Sequence, residues 1–138
     1  MKLTRRSDFA LRALIYLAER GENGRVAIAE LSREIDVSAH HLYKIVQSLS
    51  RAGYLSTLPG RDGGVRLERS PEEITLREVI SHVEGPIQFT ECMSNPGDCV
   101  LFARCRLRGK IAEAQEAMLG VLEEATIEDL LAGDCPEA

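Results

Sequence analysis

Three cysteines, Cys92, Cys99 and Cys105, fall within fourteen residues of a 138-residue chain that holds four in all. Thiols this close in sequence point to a metal or redox site rather than to scattered core cysteines. The spacing Cys-x6-Cys-x5-Cys lacks the tight Cys-x2-Cys knuckle of most structural zinc sites. Wide spacing on a loop suits a larger object, and iron–sulfur clusters take thiolates, usually with four ligands in all. Arg104, Arg106, Arg108 and Lys110 crowd the third cysteine. Positive charge there favours thiolate and offsets an anionic cluster. With three cysteines local, the fourth ligand must come from elsewhere: Cys135, an acidic side chain, a histidine or a partner subunit. Cys135 stands in the C-terminal tail and is expected to have no structural role. Two other readings remain open, three reduced thiols beside solvated arginines and a zinc-containing interaction module.

A second set of residues can bond phosphates and base edges. Ser38, His40, His41, Tyr43, Lys44, Gln47 and Arg51 stand opposite the apolar Leu42, Ile45, Val46 and Leu49 on a helical repeat. Tyr43 taken alone also reads as packing at the edge of a core. His40 and His41 make a poor zinc pair, because adjacent helical residues point about 100° apart. Arg61 stands among glycines and Asp62, and Thr4, Arg5 and Arg6 add polar groups near the start. Net charge is −5, yet the first 69 residues carry 12 Lys/Arg against 8 Asp/Glu, and the remaining 69 carry 5 against 14. A basic half is what a phosphate-contacting surface needs, and whole-chain charge hides it. There is no phosphate-binding glycine loop, no metalloprotease motif and no nucleophile with a placed base, so no enzyme is expected.

The elements that must position these groups follow from periodicity and breakers. Residues 5–20 read as a helix with Phe9, Leu11, Leu14, Ile15, Leu17 and Ala18 inward and Ser7 or Thr4 as cap. Gly21 and Gly24 stop it, with Glu22 and Asn23 in a turn. Residues 27–35 form a short second helix, Asp36-Val37 a tight turn, and Ser38 caps a third helix that runs to about Ala52 and ends at Gly53. Residues 54–58 and 65–67 are strand-like around Pro59–Gly64, a hairpin signal. A fourth helix starts at Ser70-Pro71-Glu73, or is capped by Thr75, and runs to about Glu84 with Ile80 and Val83 inward. Gly85-Pro86 breaks the chain, and residues 86–104 read as a loop with Ser94–Asp98 at its tip. Residues 106–125 form the longest helix. Its Leu107, Ile111, Ala114, Met118, Val121 and Ala125 make a 3.5-period seam of the coiled-coil kind, the alternative being a helix packed on its own subunit. Thr126–Asp129 resembles a capping box for a last short helix through Leu131.

Helix, helix, tight turn, helix and hairpin is the order of a winged helix-turn-helix, whose second helix of the pair enters the major groove while the wing reaches the flanking backbone or minor groove. The fold class expected is mainly α with a small β-hairpin, a winged helix-turn-helix plus a long C-terminal dimerisation helix. The division is 1–84 for DNA binding, 85–105 for the cysteine loop and 106–138 for dimerisation. No apolar run is long enough to span a bilayer and no signal core is visible, so no membrane partner and a cytoplasmic location are expected.

The residues also resemble a known family, the winged-helix iron–sulfur transcription regulators with NsrR, IscR and RirA branches. The likeness covers nearly the whole chain. It rests on Met1–Thr4 leading into Ser7-Asp8-Phe9-Ala10-Leu11-Arg12-Ala13-Leu14, on Ile45–Leu55, on Gly60-Arg61-Asp62-Gly63-Gly64-Val65-Arg66-Leu67, on the three cysteines running into Cys105-Arg106-Leu107, and on Thr126–Leu131. It implies a homodimer whose long helix crosses to the other subunit. It also implies a cluster on Cys92, Cys99 and Cys105, 4Fe–4S favoured and 2Fe–2S possible. IscR-like chains place a histidine three residues after the third cysteine, where this chain has Arg108. NsrR-like chains use an acidic residue of the first helix, contributed by the partner subunit, and Asp8 matches it. By itself Asp8 also reads as a carboxylate complementing a helix dipole, and Arg12 one turn on could pair with it. The function implied is a repressor of double-stranded DNA operators that senses nitric oxide. The alternatives are an iron- or redox-responsive regulator and, from another class, a cluster carrier or redox protein.

Overall fold

The computed structural model describes residues 3–21, 24–95, 97 and 99–131. The expectations for Cys135, for the Glu22-Asn23 turn and for Pro96 and Asp98 of the loop tip lie outside the described residues.

Helix α1 (Arg5–Glu19) turns Ala10, Ala13, Leu14, Leu17 and Ala18 inward. Phe9 and Leu11, expected on that face, only pack at its rim, while Ser7 is fully buried. Alanines interleave with Leu14 and Leu17 on the buried face and let α1 lie close to its neighbours, which leaves Phe9 and Leu11 at the margin. The expected caps also differ. Thr4 occupies the N-cap position without a side-chain cap bond. The Thr4 amide and hydroxyl and the Ser7 hydroxyl all donate to Glu84 Oε1, at 2.8, 2.8 and 2.5 Å. A carboxylate is the stronger acceptor and draws both hydroxyls to itself.

Helix α2 (Ile28–Glu34) packs Leu31 inward. Asp36 then adopts φ 53°, a left-handed conformation that aspartate tolerates, and makes the tight turn. Ser38 caps α3 (Ala39–Arg51), accepting from the His41 amide, and the buried side chains are the four expected: Leu42, Ile45, Val46 and Leu49. Gly53, at φ 83°, ends the helix. Strands β1 (Leu55–Leu58) and β2 (Gly64–Leu67) pair antiparallel with Leu55 opposite Leu67. Val26 bridges to Val65 on the outer edge of β2, with N–O distances of 2.9 and 2.8 Å. The backbone runs so close there that a Cβ on Gly64 would stand 2.5 Å from the Val26 carbonyl oxygen, so only glycine fits.

Of the two possible starts for α4 (Leu76–Glu84), the structure uses Thr75, whose hydroxyl accepts from the Glu78 amide at 3.2 Å. Pro71–Glu73 forms a separate 3-10 turn. Ile74 between them is buried and exchanges backbone bonds with the C-terminal stretch: Ile127 donates to the Ile74 carbonyl, and Leu76 to that of Ala125. Ile127 joins the same core as α1 and α3. The segment expected as a loop is not wholly irregular. It contains α5 (Glu91–Ser94) and a 3-10 turn over Phe102–Arg104, both closed by short-range backbone bonds. The final short helix is a 3-10 turn, Glu128–Leu130, with the expected Thr126–Asp129 exchange.

Helix α6 (Arg106–Glu124) packs on α4 and buries Gln115 and Leu119. The seam residues divide: Leu107 and Val121 are 66% and 68% exposed and Ala114 is exposed too, whereas Ile111, Met118 and Ala125 are half-buried. Packing on α4 therefore leaves one edge of the heptad stripe turned outward.

Candidate nucleic-acid interface and cysteine segment

Capping by Ser38 and burial of the apolar face fix α3 in rotation, so His40, His41, Tyr43, Lys44, Gln47 and Arg51 all project outward. The Ser38 hydroxyl also lies 3.0 Å from His41 Nδ1, and the two imidazole rings stand 5.9 Å apart, tilted. Gln47 Nε2 donates to the Tyr43 hydroxyl at 2.9 Å, one helical turn away. A groove of about 660 Å³ opens between α3 and the hairpin, with Tyr43, Gln47 and Arg51 on one wall and Leu58 and Arg61 on the other. The helix and the wing thus present their cations to one face. Arg5 is exposed at the start of α1, while the Thr4 amide and hydroxyl are committed to Glu84.

Cys92, Cys99 and Cys105 are free and half-buried. Cys92 lies in α5 with its sulfur 3.2 Å from the Thr90 hydroxyl. The Cys99 carbonyl accepts from the Phe102 amide. Cys105 stands at the N-cap of α6, whose first turn has no acidic residue, and the Arg108 guanidinium lies 3.9 Å over the Phe102 ring. Among the described residues no three His, Cys, Asp or Glu side chains converge on one metal position. The donor types nevertheless fit an anionic iron–sulfur group: soft thiols, one of them at the positive end of a long helix. Asp8 is bound by Arg12, as the i, i+4 spacing suggested, with Nε–Oδ1 3.0 Å and Nη2–Oδ2 2.8 Å.

Sequence reasoning missed the last turn of α4. Glu84 holds the beginning of α1, and His82 Nε2 lies 3.0 Å from the Ser48 hydroxyl on α3. His82 also meets the Tyr54 ring edge-on. Partial desolvation pushes the Glu84 carboxyl up, but the bonds from Ser7 and Thr4, with Arg6 nearby, outweigh it and hold the group below the ordinary carboxylate range. Gln115 was missed as well. It is buried, and its Oε1 accepts from the Phe89 amide at 3.0 Å, tying the cysteine segment to α6. A glutamine in the middle of an amphipathic helix, among apolar neighbours, was the available signal.

A family model described as an iron-dependent transcriptional regulator, Rrf2, matches residues 3–133. The chain belongs to the Rrf2 family. Like the regulators of that family it is a DNA-binding transcription regulator and not an enzyme. This Rrf2 member is 40% identical over 132 residues to the HTH-type transcriptional regulator NsrR of Geobacillus kaustophilus, covering 95% of this chain and 90% of that protein. A crystal structure from Listeria innocua superposes with a TM-score of 0.82 at 28% identity, over 99% of this chain and 91% of that one. CymR, the global cysteine regulator of Bacillus subtilis, superposes with a TM-score of 0.74 at 26% identity, over 95% and 96% of the two chains. No described helix is long and apolar enough to cross a membrane.

Proposed function

We propose that this Rrf2 member is a homodimeric, cytoplasmic repressor whose affinity for a palindromic operator is set by an iron–sulfur cluster and lost on exposure to nitric oxide. Residues 1–84 read DNA, residues 85–105 hold the cluster through Cys92, Cys99 and Cys105, and residues 106–138 dimerise. Asp8 of the partner subunit is the fourth ligand, and 4Fe–4S is the favoured cluster. When bound, the cluster supplies iron centres that react with nitric oxide.

One observation carries the reading. The segment with the three thiols is strung between α6 and the last turn of α4, and that turn is bonded to both DNA-facing elements, α1 through Glu84 and α3 through His82. A change in the segment's conformation therefore pulls on α4 and alters how α1 and α3 sit. A tenfold change in operator affinity needs only about 1.4 kcal/mol between the two arrangements. Support for the dimer comes from α6, whose exposed Leu107, Ala114 and Val121, at seven-residue spacing, offer an apolar stripe to a second copy. A homodimer built on it spaces two recognition helices for successive turns of DNA.

The test is anaerobic purification with iron and sulfide analysis and visible spectroscopy, followed by binding to a duplex selected from a randomised pool, before and after nitric oxide. The expected result is coloured protein, lost colour in Cys99→Ser, and weaker binding after nitric oxide. Iron-free protein that binds equally tightly before and after the gas overturns the reading. The family's description as iron-dependent favours a second reading, a regulator of iron or redox status. Loss of binding on iron chelation, with indifference to nitric oxide, would select it.

A further inference from the structure

The recognition helix carries, besides the Ser38–His41 contact at its cap, a side-chain pair in its middle that is bonded without DNA. Gln47 Nε2 donates to the Tyr43 hydroxyl at 2.9 Å, both residues are exposed, and both line the groove that faces the wing. Tyr43 is 55% exposed although it is large and mostly apolar, so the core does not claim it.

The bond determines what Gln47 can still do. An amide has two N–H donors and one carbonyl acceptor. With one N–H committed to Tyr43, Gln47 has one N–H and its carbonyl oxygen free for a ligand. In the major groove adenine offers N7 as acceptor and N6–H as donor, the complement of that remaining set. Guanine offers two acceptors, N7 and O6, and would set O6 against the Gln47 carbonyl. Thymine has an acceptor and a methyl group, and cytosine has a donor without N7. The reverse amide orientation, carbonyl toward Tyr43, would leave two donors and favour guanine.

We infer that Gln47 is the specificity-determining contact to an adenine in each operator half-site, and that Tyr43 is its positioning residue, holding the amide through the bond that its hydroxyl accepts from Nε2. The inference rests on the DNA-binding reading of α3. Preorganisation matters because an exposed glutamine otherwise loses rotamer freedom on binding, and the bond to Tyr43 has already removed part of it.

The experiment selects a duplex from a randomised pool with the anaerobically prepared full-length protein, then replaces each fixed adenine with guanine, 7-deazaadenine or 2-aminopurine. At one adenine per half-site, each replacement is expected to weaken wild-type binding about tenfold. Gln47→Ala is expected to be indifferent to all three replacements there. Tyr43→Phe, which keeps the ring, is expected to lose most of the adenine–guanine discrimination while its salt dependence stays that of wild type. A merely structural role for Tyr43 would weaken binding without changing base preference, and that result overturns the assignment. So does a fixed guanine that depends on Gln47, or a Gln47→Ala protein with every wild-type preference intact. A pool that enriches no motif would sink the DNA-binding reading along with this one, whereas the preceding outcomes sink this one alone.

Discussion

Ser7 on α1 donates a 2.5 Å hydrogen bond to Glu84, the last residue of α4 before the cysteine segment. Ser7 is fully buried and the same carboxylate oxygen accepts two bonds from Thr4, so one acidic group fastens the start of α1, which has no side-chain cap of its own. The helix that carries Asp8 and the strand of chain that carries the thiols are fastened to each other at this point. Replacing Glu84 by Gln removes a charged acceptor and should cost about 1–2 kcal/mol, read by urea unfolding at pH 7. The folded-state carboxyl is held below its ordinary value of 4.5, so its stabilising contribution is complete above that value. It is lost as pH falls through the depressed folded value. The stability gap between wild type and Glu84→Gln should therefore close on acidification, and a gap that widens would contradict the assignment.

Ile127 lies beyond α6 yet is fully buried in the winged-helix core, beside Ile74. Ile127→Ala should cost about 2–4 kcal/mol, with a single cooperative transition for the whole chain. Two separated transitions would show that the C-terminal stretch folds apart from the rest.

Leu107→Lys with Val121→Lys places charge on the outward stripe of α6 without touching Gln115 or Leu119. Sedimentation equilibrium should report a monomer with the helical content of wild type. A dimer of unchanged affinity would move the interface elsewhere.

Lys44 is exposed on the outer face of α3. As a phosphate contact, Lys44→Ala should weaken binding to all duplexes and lower the slope of log K against log salt by about one per contact. An unchanged slope would instead make it a base contact or no contact.

Both oxygens of Asp8 are engaged by Arg12 within one chain. If Asp8 serves the partner subunit's cluster, that ion pair has to open. Arg12→Ala should then keep full iron content and bind iron more readily at limiting supply, whereas Asp8→Ala should keep the colour and alter its reactivity with nitric oxide. Spectra and gas reactivity identical to wild type in Asp8→Ala would reject the fourth ligand.

Much of this protein was legible in the order of its residues. Leu42, Ile45, Val46 and Leu49 recur at helical spacing, and that alone sets which side of α3 is polar. Asp36 and Gly53 announce their turns because few residues accept positive φ. The type and crowding of the cysteines mark the segment as a candidate metal site. What local pattern could not supply is any partner far along the chain. Glu84 meets Ser7 across 77 positions and Thr4 across 80, His82 meets Ser48 across 34, and Phe89 reaches Gln115 across 26. Periodicity describes a helix's own faces, not which neighbour each face will meet. For α6 it marked one apolar stripe, but the burial of Gln115 and Leu119, leaving Leu107 and Val121 outward, depends on where α4 stands once α1 and α3 have closed the core. Hydrophobic burial is non-directional, so spacing reveals that a face must be covered, while only the assembled packing determines what covers it.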